Sequence, residues 1–231
     1  MKKKSFKNRL LLAVLFMIAV FGYWACESES SSDVNQDRIF TSYNYQYDEE
    51  QDITIAVVRF RFGSKTGTLL ELAEPSEITV NDKYMTFNAT LAQYSANFSG
   101  FVPDAGFLWK DADGKEFRNS VHLNTVAFPE LDTIARASSF ELFWEGDSLE
   151  TDEYVNVRIT DISGENSKIF TANSLESTSV IFPKNELGEL LPGEAQIEMY
   201  RGILADANEA TEVGGLISAQ YFVESRTIII E

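Results

Sequence analysis

The residues of this chain best suited to chemistry are its acids. In EGDSLETDEY, residues 145 to 154, Asp147, Glu150, Asp152 and Glu153 place four carboxylates within seven residues of loop-like sequence. Calcium takes about six to eight hard oxygens, so these four form a calcium candidate if they converge. The plainer reading is a solvated connection between strands, because the string is crowded with turn formers. The same string holds Ser148, and a serine nucleophile needs a general base within hydrogen-bond reach. The only histidine, His122, lies upstream of Ser148, and none follows it. A second acidic string, DADG at 111 to 114, lacks the further ligands of a calcium-binding loop and reads as a hairpin with Asp113-Gly114 in a type I′ turn. Aromatic residues offer another chemistry, stacking on sugar rings. Tyr43, Tyr45 and Tyr47 alternate and so share one strand face, while Trp109 and Trp144 sit inside strand patterns. These five are candidates for a ligand platform, in competition with core packing. No cluster of His and Cys suits zinc, no glycine-rich loop suits phosphate, and thirty-six acids single out no catalytic pair. No catalytic residue is assigned, and the chain reads as a non-enzyme.

The string Gly146-Asp147-Ser148-Leu149 resembles the signature of the GDSL esterases. That resemblance implies Ser148 as nucleophile and an Asp-x-x-His base near the C-terminus, which this chain lacks. An alternating strand precedes the string and no helical pattern follows it, so it reads as a loop.

The N-terminus carries a stronger signal. MKKKSFKNR has five cations and no acid, and an apolar run follows from Leu10 to Ala25. At a helical rise of 1.5 Å those residues cover only about 24 Å, short of a ~30 Å hydrocarbon core, which favours an export signal over a spanning helix. The only cysteine, Cys26, stands directly after Ala25. Here the sequence resembles the bacterial lipoproteins, in which a small residue precedes the modified cysteine. The resemblance implies cleavage before Cys26 and acylation there, several chains anchoring far better than one. The acidic tract behind it, ESESSSDVNQD, resembles that of Bacteroidota-like surface lipoproteins and implies an outer-membrane location, facing the cell surface or the periplasm. With almost nothing apolar to bury, residues 26–37 are expected to form a disordered tether.

Cleavage would leave fourteen Lys and Arg against thirty-six Asp and Glu, a net charge of −22. Such a chain repels phosphate backbones, so nucleic acid is not expected as a partner. With no cysteine beyond Cys26, apolar burial must stabilise the fold.

The elements that must position these residues are strands. Val155, Val157 and Ile159 alternate with Asn156, Arg158 and Thr160; Ile197 and Met199 alternate with Gln196 and Glu198; Phe140, Leu142 and Trp144 alternate with Glu141 and Glu145, interrupted by Phe143. ITIAVVRFRF, residues 53 to 62, suits a strand that leaves a core and turns toward water. Turn formers recur about every ten residues, and the one helical suggestion is a single turn in KNELGELLPG, residues 184 to 193. The expected fold is all-β: two antiparallel β-sandwich domains, 38–126 and 127–231, behind a signal peptide (1–25) and the acidic tether (26–37), one fused sandwich being the second reading. Both modules resemble the immunoglobulin-like and fibronectin-type folds of bacterial surface proteins. The expected function is that of a non-enzymatic envelope protein, held to the membrane by its lipid and presenting these modules to a protein or glycan partner. A carbohydrate-binding lipoprotein beside a nutrient-uptake system is the alternative, and a hydrolase of unfamiliar type a remote third. No cofactor is expected beyond the calcium that the acidic loop could take.

Overall fold

The computed structural model describes residues 28–231. The expected export segment and Cys26 lie outside the described residues. Alternation dictates the elements. In the first half, β1 (Glu29–Ser30), β2 (Ile39–Asp48), β3 (Ile53–Phe62), β4 (Leu69–Glu71), β5 (Glu77–Val80), β6 (Lys83–Tyr84), β7 (Thr86–Asn88), β8 (Gln93–Ser99), β9 (Asp104–Lys110) and β10 (Glu116–His122) form two facing layers. One layer contains β8, β3 and β2, with β4 and β7 at its margins; the other is a four-stranded sheet in the order β10-β9-β5-β6. Every second residue of β2 and β3 points between the layers, where Tyr43, Tyr45, Ala56, Val58 and Phe60 meet Phe107, Trp109 and Phe117. Trp109 stacks on Phe117 with centroids 4.5 Å apart and lies 5.1 Å from Phe60.

The second half adds β11 (Thr133–Ile134), β12 (Phe140–Phe143), β13 (Glu153–Asp161), β14 (Ser167–Ala172), β15 (Ser179–Phe182), a single helical turn α1 (Lys184–Leu187), β16 (Gly193–Asp206), β17 (Gly215–Phe222) and β18 (Arg226–Ile230). Here β13, β14, β16, β17 and β18 form the main layer, and the short β12–β15 pair covers it. Leu142, Val180 and Phe182 of that pair join Val157 and Phe170 in the core, with Leu187 and Leu190 from the helical connection beside them. The strand β16 serves two partners along one edge: Gly193 to Ile197 pairs with β18, and Tyr200 to Asp206 pairs with β17.

The two main layers are one sheet. β2 and β17 pair in parallel over eight residues, from Thr41 opposite Gly215 to Asp48 opposite Phe222. A twelve-stranded sheet therefore runs through both lobes, and its buried residues form one hydrophobic cluster. The chain is all-β, a sandwich whose sheets are not closed into a barrel. The boundary between the two expected domains is itself packed: Val126 and Phe128 are buried, and Ala127 pairs with Glu145.

The expected tether is corrected from Ser28 onward. β1 pairs in parallel with β4, the Ser31 hydroxyl accepts from the Ala73 amide (2.8 Å), and Gln36 Nε2 donates to the carbonyls of Ser31 and Val34. Backbone pairing along a sheet edge, rather than apolar burial, orders this polar stretch. The DADG hairpin is present between β9 and β10, but its turn differs from type I′. Gly114 N donates to the Asp111 carbonyl (3.1 Å), and Gly114 alone takes a positive φ, of 83°. That is a three-residue loop ending in a left-handed glycine. The Asp111 carboxylate accepts from the amides of Asp113 and Lys115, so it serves the turn. Among the described residues no helix is long and apolar enough to cross a membrane.

Candidate functional site

The five aromatic residues expected to form a ligand platform are core residues. Tyr43, Tyr45, Tyr47, Trp109 and Trp144 are between 0 and 6 % exposed. Their alternation puts them on one face, as expected, but that face is the inner one. Tyr45 donates to the Val102 carbonyl (2.8 Å), Tyr47 to Asp52 (3.0 Å), and Trp144 Nε1 to the Asp147 carbonyl (3.2 Å). Burial pushes the Tyr43 phenol up to about 12.

The acidic loop does not gather its carboxylates. Glu153 turns inward onto Arg201, and the side chains of this ion pair are only 5 % and 1 % exposed. Arg201 Nε and Nη2 donate to the two Glu153 oxygens (3.2 and 2.5 Å), while Nη1 and Nη2 also donate to the carbonyls of Asp147 and Ser148 (2.8 and 2.9 Å). Asn124 Nδ2 and the Glu150 amide complete the Glu153 shell. Burial would raise this carboxyl, but the hydrogen bonds from Arg201, Asn124 and Glu150 outweigh it and hold the group below its ordinary value. Asp147, Glu150 and Asp152 point to solvent. Among the described residues no group of three His, Cys, Asp or Glu side chains is placed to hold a metal ion. Ser148 is exposed, and His122 is engaged elsewhere, its Nδ1 2.7 Å from Asp104 on the β9–β10 pair. Leu149 of the same string is buried in the core and fixes the loop. The string is a structural connection clamped by Arg201, a residue that alternation along β16 marks as inward but whose partner no local pattern reveals.

The outer face of the common sheet is a different surface. Because Val155, Val157, Met199, Tyr221 and Tyr47 point inward, their neighbours point out. Register aligns Thr171, Asn156, Tyr200, Phe222 and Asp48 in one row across β14, β13, β16, β17 and β2. Beside it runs a second row: Tyr154, Gly202, Gln220, Gln46 and Ile55. Tyr154 lies down across β16, since a Cβ on Gly202 would stand 2.6 Å from its Cζ and Oη. The Tyr154 oxygen accepts from Gln220 Nε2 (3.0 Å), two strands away. Tyr200 stands at 88° to Tyr154, centroids 6.0 Å apart, and packs against Phe222 at 5.2 Å. The Thr171 hydroxyl donates to Asn156 Oδ1, and Asn156 Nδ2 donates to the Tyr200 oxygen (2.9 Å). Next to Tyr200 and Phe222 is a cavity of about 220 Å³, walled also by Asp48, Glu50, Arg158 and Glu198. Sequence reading marked Asn156 and Arg158 as the outward face of β13 but gave no weight to Tyr154 or Tyr200, the aromatics that this face displays.

No protein-family model matches the chain, and no curated protein is similar to it. Solved structures overlap it in part. The FN1–FN3 domains of chicken CNTN1 share 10 % identity at a TM-score of 0.29, over 81 % of this chain and 65 % of that one. A 1.5-MDa bacterial ice-binding adhesin shares 10 % identity at a TM-score of 0.22, over 85 % of this chain and 66 % of that one. A tetra-tandem repeat in the extending region of a large adhesion protein shares 13 % identity at a TM-score of 0.25, over 83 % of this chain and 49 % of that one. The chain thus spans just under two thirds of the length of the first two and about half of the third.

Proposed function

We propose that this protein is a non-enzymatic envelope protein, anchored by lipid at Cys26 in the outer membrane, that offers the outer face of its common sheet to a protein or glycan partner. The observation that carries the reading is that face itself. It is a broad surface where three aromatic side chains and several amides form rows at fixed register, while the opposite face supplies the core. Aromatic and amide groups at fixed register are the means by which a binding surface gains contact area and directional hydrogen bonds at low entropic cost. The acidic balance keeps nucleic acid out of the partner set.

Two measurements test this. Cys26→Ala should abolish fatty-acid labelling and move the protein out of the membrane fraction; equal labelling in the mutant contradicts the anchor. A photo-crosslinking amino acid at position 55, on the outer face, should give adducts in intact cells. The same group at position 118, on the β10 strand of the opposite sheet, should not. Adducts from position 118 only, or from neither position, would refute the role of the face.

A further inference from the structure

Resting on that reading of the outer face, we infer that the track Tyr154–Tyr200–Phe222, with Asn156 and Gln220, binds a neutral oligosaccharide laid across strands β14, β13, β16 and β17. Shape supports this first. Four neighbouring strands at ~4.8 Å spacing give a track of about 14 Å, perpendicular to the strands, long enough for a short run of sugar rings. Tyr154 forms its floor, because Gly202 lets the ring tip settle over β16. Tyr200, nearly at right angles, forms a wall, and Phe222 extends that wall toward β2. The cavity of about 220 Å³ lies at the Phe222 end, and Asn156, Thr171 and Asn173 border a second concavity at the Tyr154 end. The aromatic track therefore has a polar-edged recess at its Phe222 end and a shallow, open, polar border at its Tyr154 end.

Hydrogen-bond accounting supports it second. Each phenol oxygen accepts from an amide: Tyr154 from Gln220, and Tyr200 from Asn156. Neither phenol donates its own hydrogen to any acceptor among the described residues. A phenol carries one donor and also accepts, so both side chains are held by their oxygens with their hydrogens free for a ligand hydroxyl. The relay from Thr171 through Asn156 to Tyr200 fixes these positions before anything binds, which lowers the ordering cost of association. A sugar supplies what this arrangement lacks: acceptor hydroxyls at its edge and C–H faces for the rings.

Charge decides the class of sugar. Asp48, Glu50 and Glu198 stand around the cavity against the single cation Arg158, which is 3.1 Å from Glu198, and Asp152 flanks the far end. Together with a chain of thirty-six acids against nineteen Lys and Arg, this field repels uronates and sulfated glycans. The ligand is therefore neutral.

The test is calorimetric titration of the full-length protein with cellohexaose, maltohexaose, xylohexaose, mannohexaose and laminarihexaose, with a hyaluronan hexasaccharide as the anionic probe. At least one neutral hexasaccharide should bind and hyaluronan should not. Tyr200→Ala and Asn156→Ala should each weaken binding about tenfold, which is about 1.4 kcal/mol. Tyr200→Phe keeps the ring but removes the hydroxyl, both its free donor and the oxygen that accepts from Asn156, and should weaken binding several-fold. Arg118→Ala, exposed on the β10 strand of the opposite sheet, should leave it unchanged. No binding by any neutral sugar at millimolar concentration, binding indifferent to both Tyr200 variants, or preference for hyaluronan overturns the inference. Crosslinks from position 55 to a protein, with no sugar binding, would sink the oligosaccharide while leaving the outer face as the binding surface.

Discussion

Arg201 shows how one buried charge organises a loop. Removing a guanidinium from water costs several kcal/mol, and only complete hydrogen bonding offsets it. Glu153 and the carbonyls of Asp147 and Ser148 supply that bonding. Truncation would leave a buried carboxylate unpaired, so Arg201→Met should destabilise the protein by about 3–5 kcal/mol in chemical denaturation. Arg158→Met, on the exposed pair with Glu198, should cost less than about 1 kcal/mol. Comparable losses in the two variants would refute the distinction. Acid exposes the same network. The Glu153 carboxyl is held below its ordinary value despite burial, and hydrogen bonds from Ser163 and the Leu191 amide hold Asp161 low as well. A carboxyl depressed in the folded state stabilises it fully above the unfolded value of about 4, and that contribution fades as pH falls through the lower folded value. Stability should therefore begin to fall as pH drops through about 4 and go on falling toward the depressed folded values, less steeply in Glu153→Gln. Identical acid slopes in the two proteins would place the linkage on other groups.

At the scale of elements, the pairing of β2 with β17 decides most. It requires close backbone approach at its start, where a Cβ on Gly215 would lie 2.7 Å from Thr41 Oγ1 and 3.1 Å from the Thr41 carbonyl. Gly215→Val should wedge this end of the ladder open at a cost of about 1–3 kcal/mol, the usual price of overpacking. The check is amide hydrogen exchange, which should quicken from Leu216 to Ser218 while β9 and β10 keep their protection. Unchanged exchange along β17 would mean that the junction tolerates the side chain. The elements themselves were legible: β3, β13 and the single turn α1 lie where alternation and punctuation put them. The parallel joint was not, because residues 41 and 215 share no local pattern and a ladder between them is written only in long-range geometry.

For the whole molecule, one sheet and one hydrophobic cluster spanning both lobes make separate unfolding costly, since either lobe alone would expose the β2 or β17 edge and part of the common core. Calorimetry should show a single transition whose calorimetric and van't Hoff enthalpies agree. Two resolved transitions would show that the lobes come apart independently across β2 and β17.

Legible in the residues alone were an all-β chain, its alternating strand faces, a strong excess of acids, and an N-terminus that resembles an export and lipidation signal. Those features are local: period-2 alternation, turn residues and net charge need no knowledge of what lies far away. Which face of each strand is covered was settled by long-range packing. Tyr43, Tyr45 and Tyr47 look like a platform until Phe107 of β9 covers the first two and Phe101 and Tyr221 pack on the third, and Tyr154 and Tyr200 become the displayed aromatics because, among the described residues, no layer covers their side of the sheet. Alternation separates two faces but carries no sign, and the sign is set by partners distant in the chain. Glu153 follows the same rule: in the sequence it is one acid among four, and only the arrival of Arg201 from β16 turns it from a solvent-facing ligand candidate into a buried counter-ion.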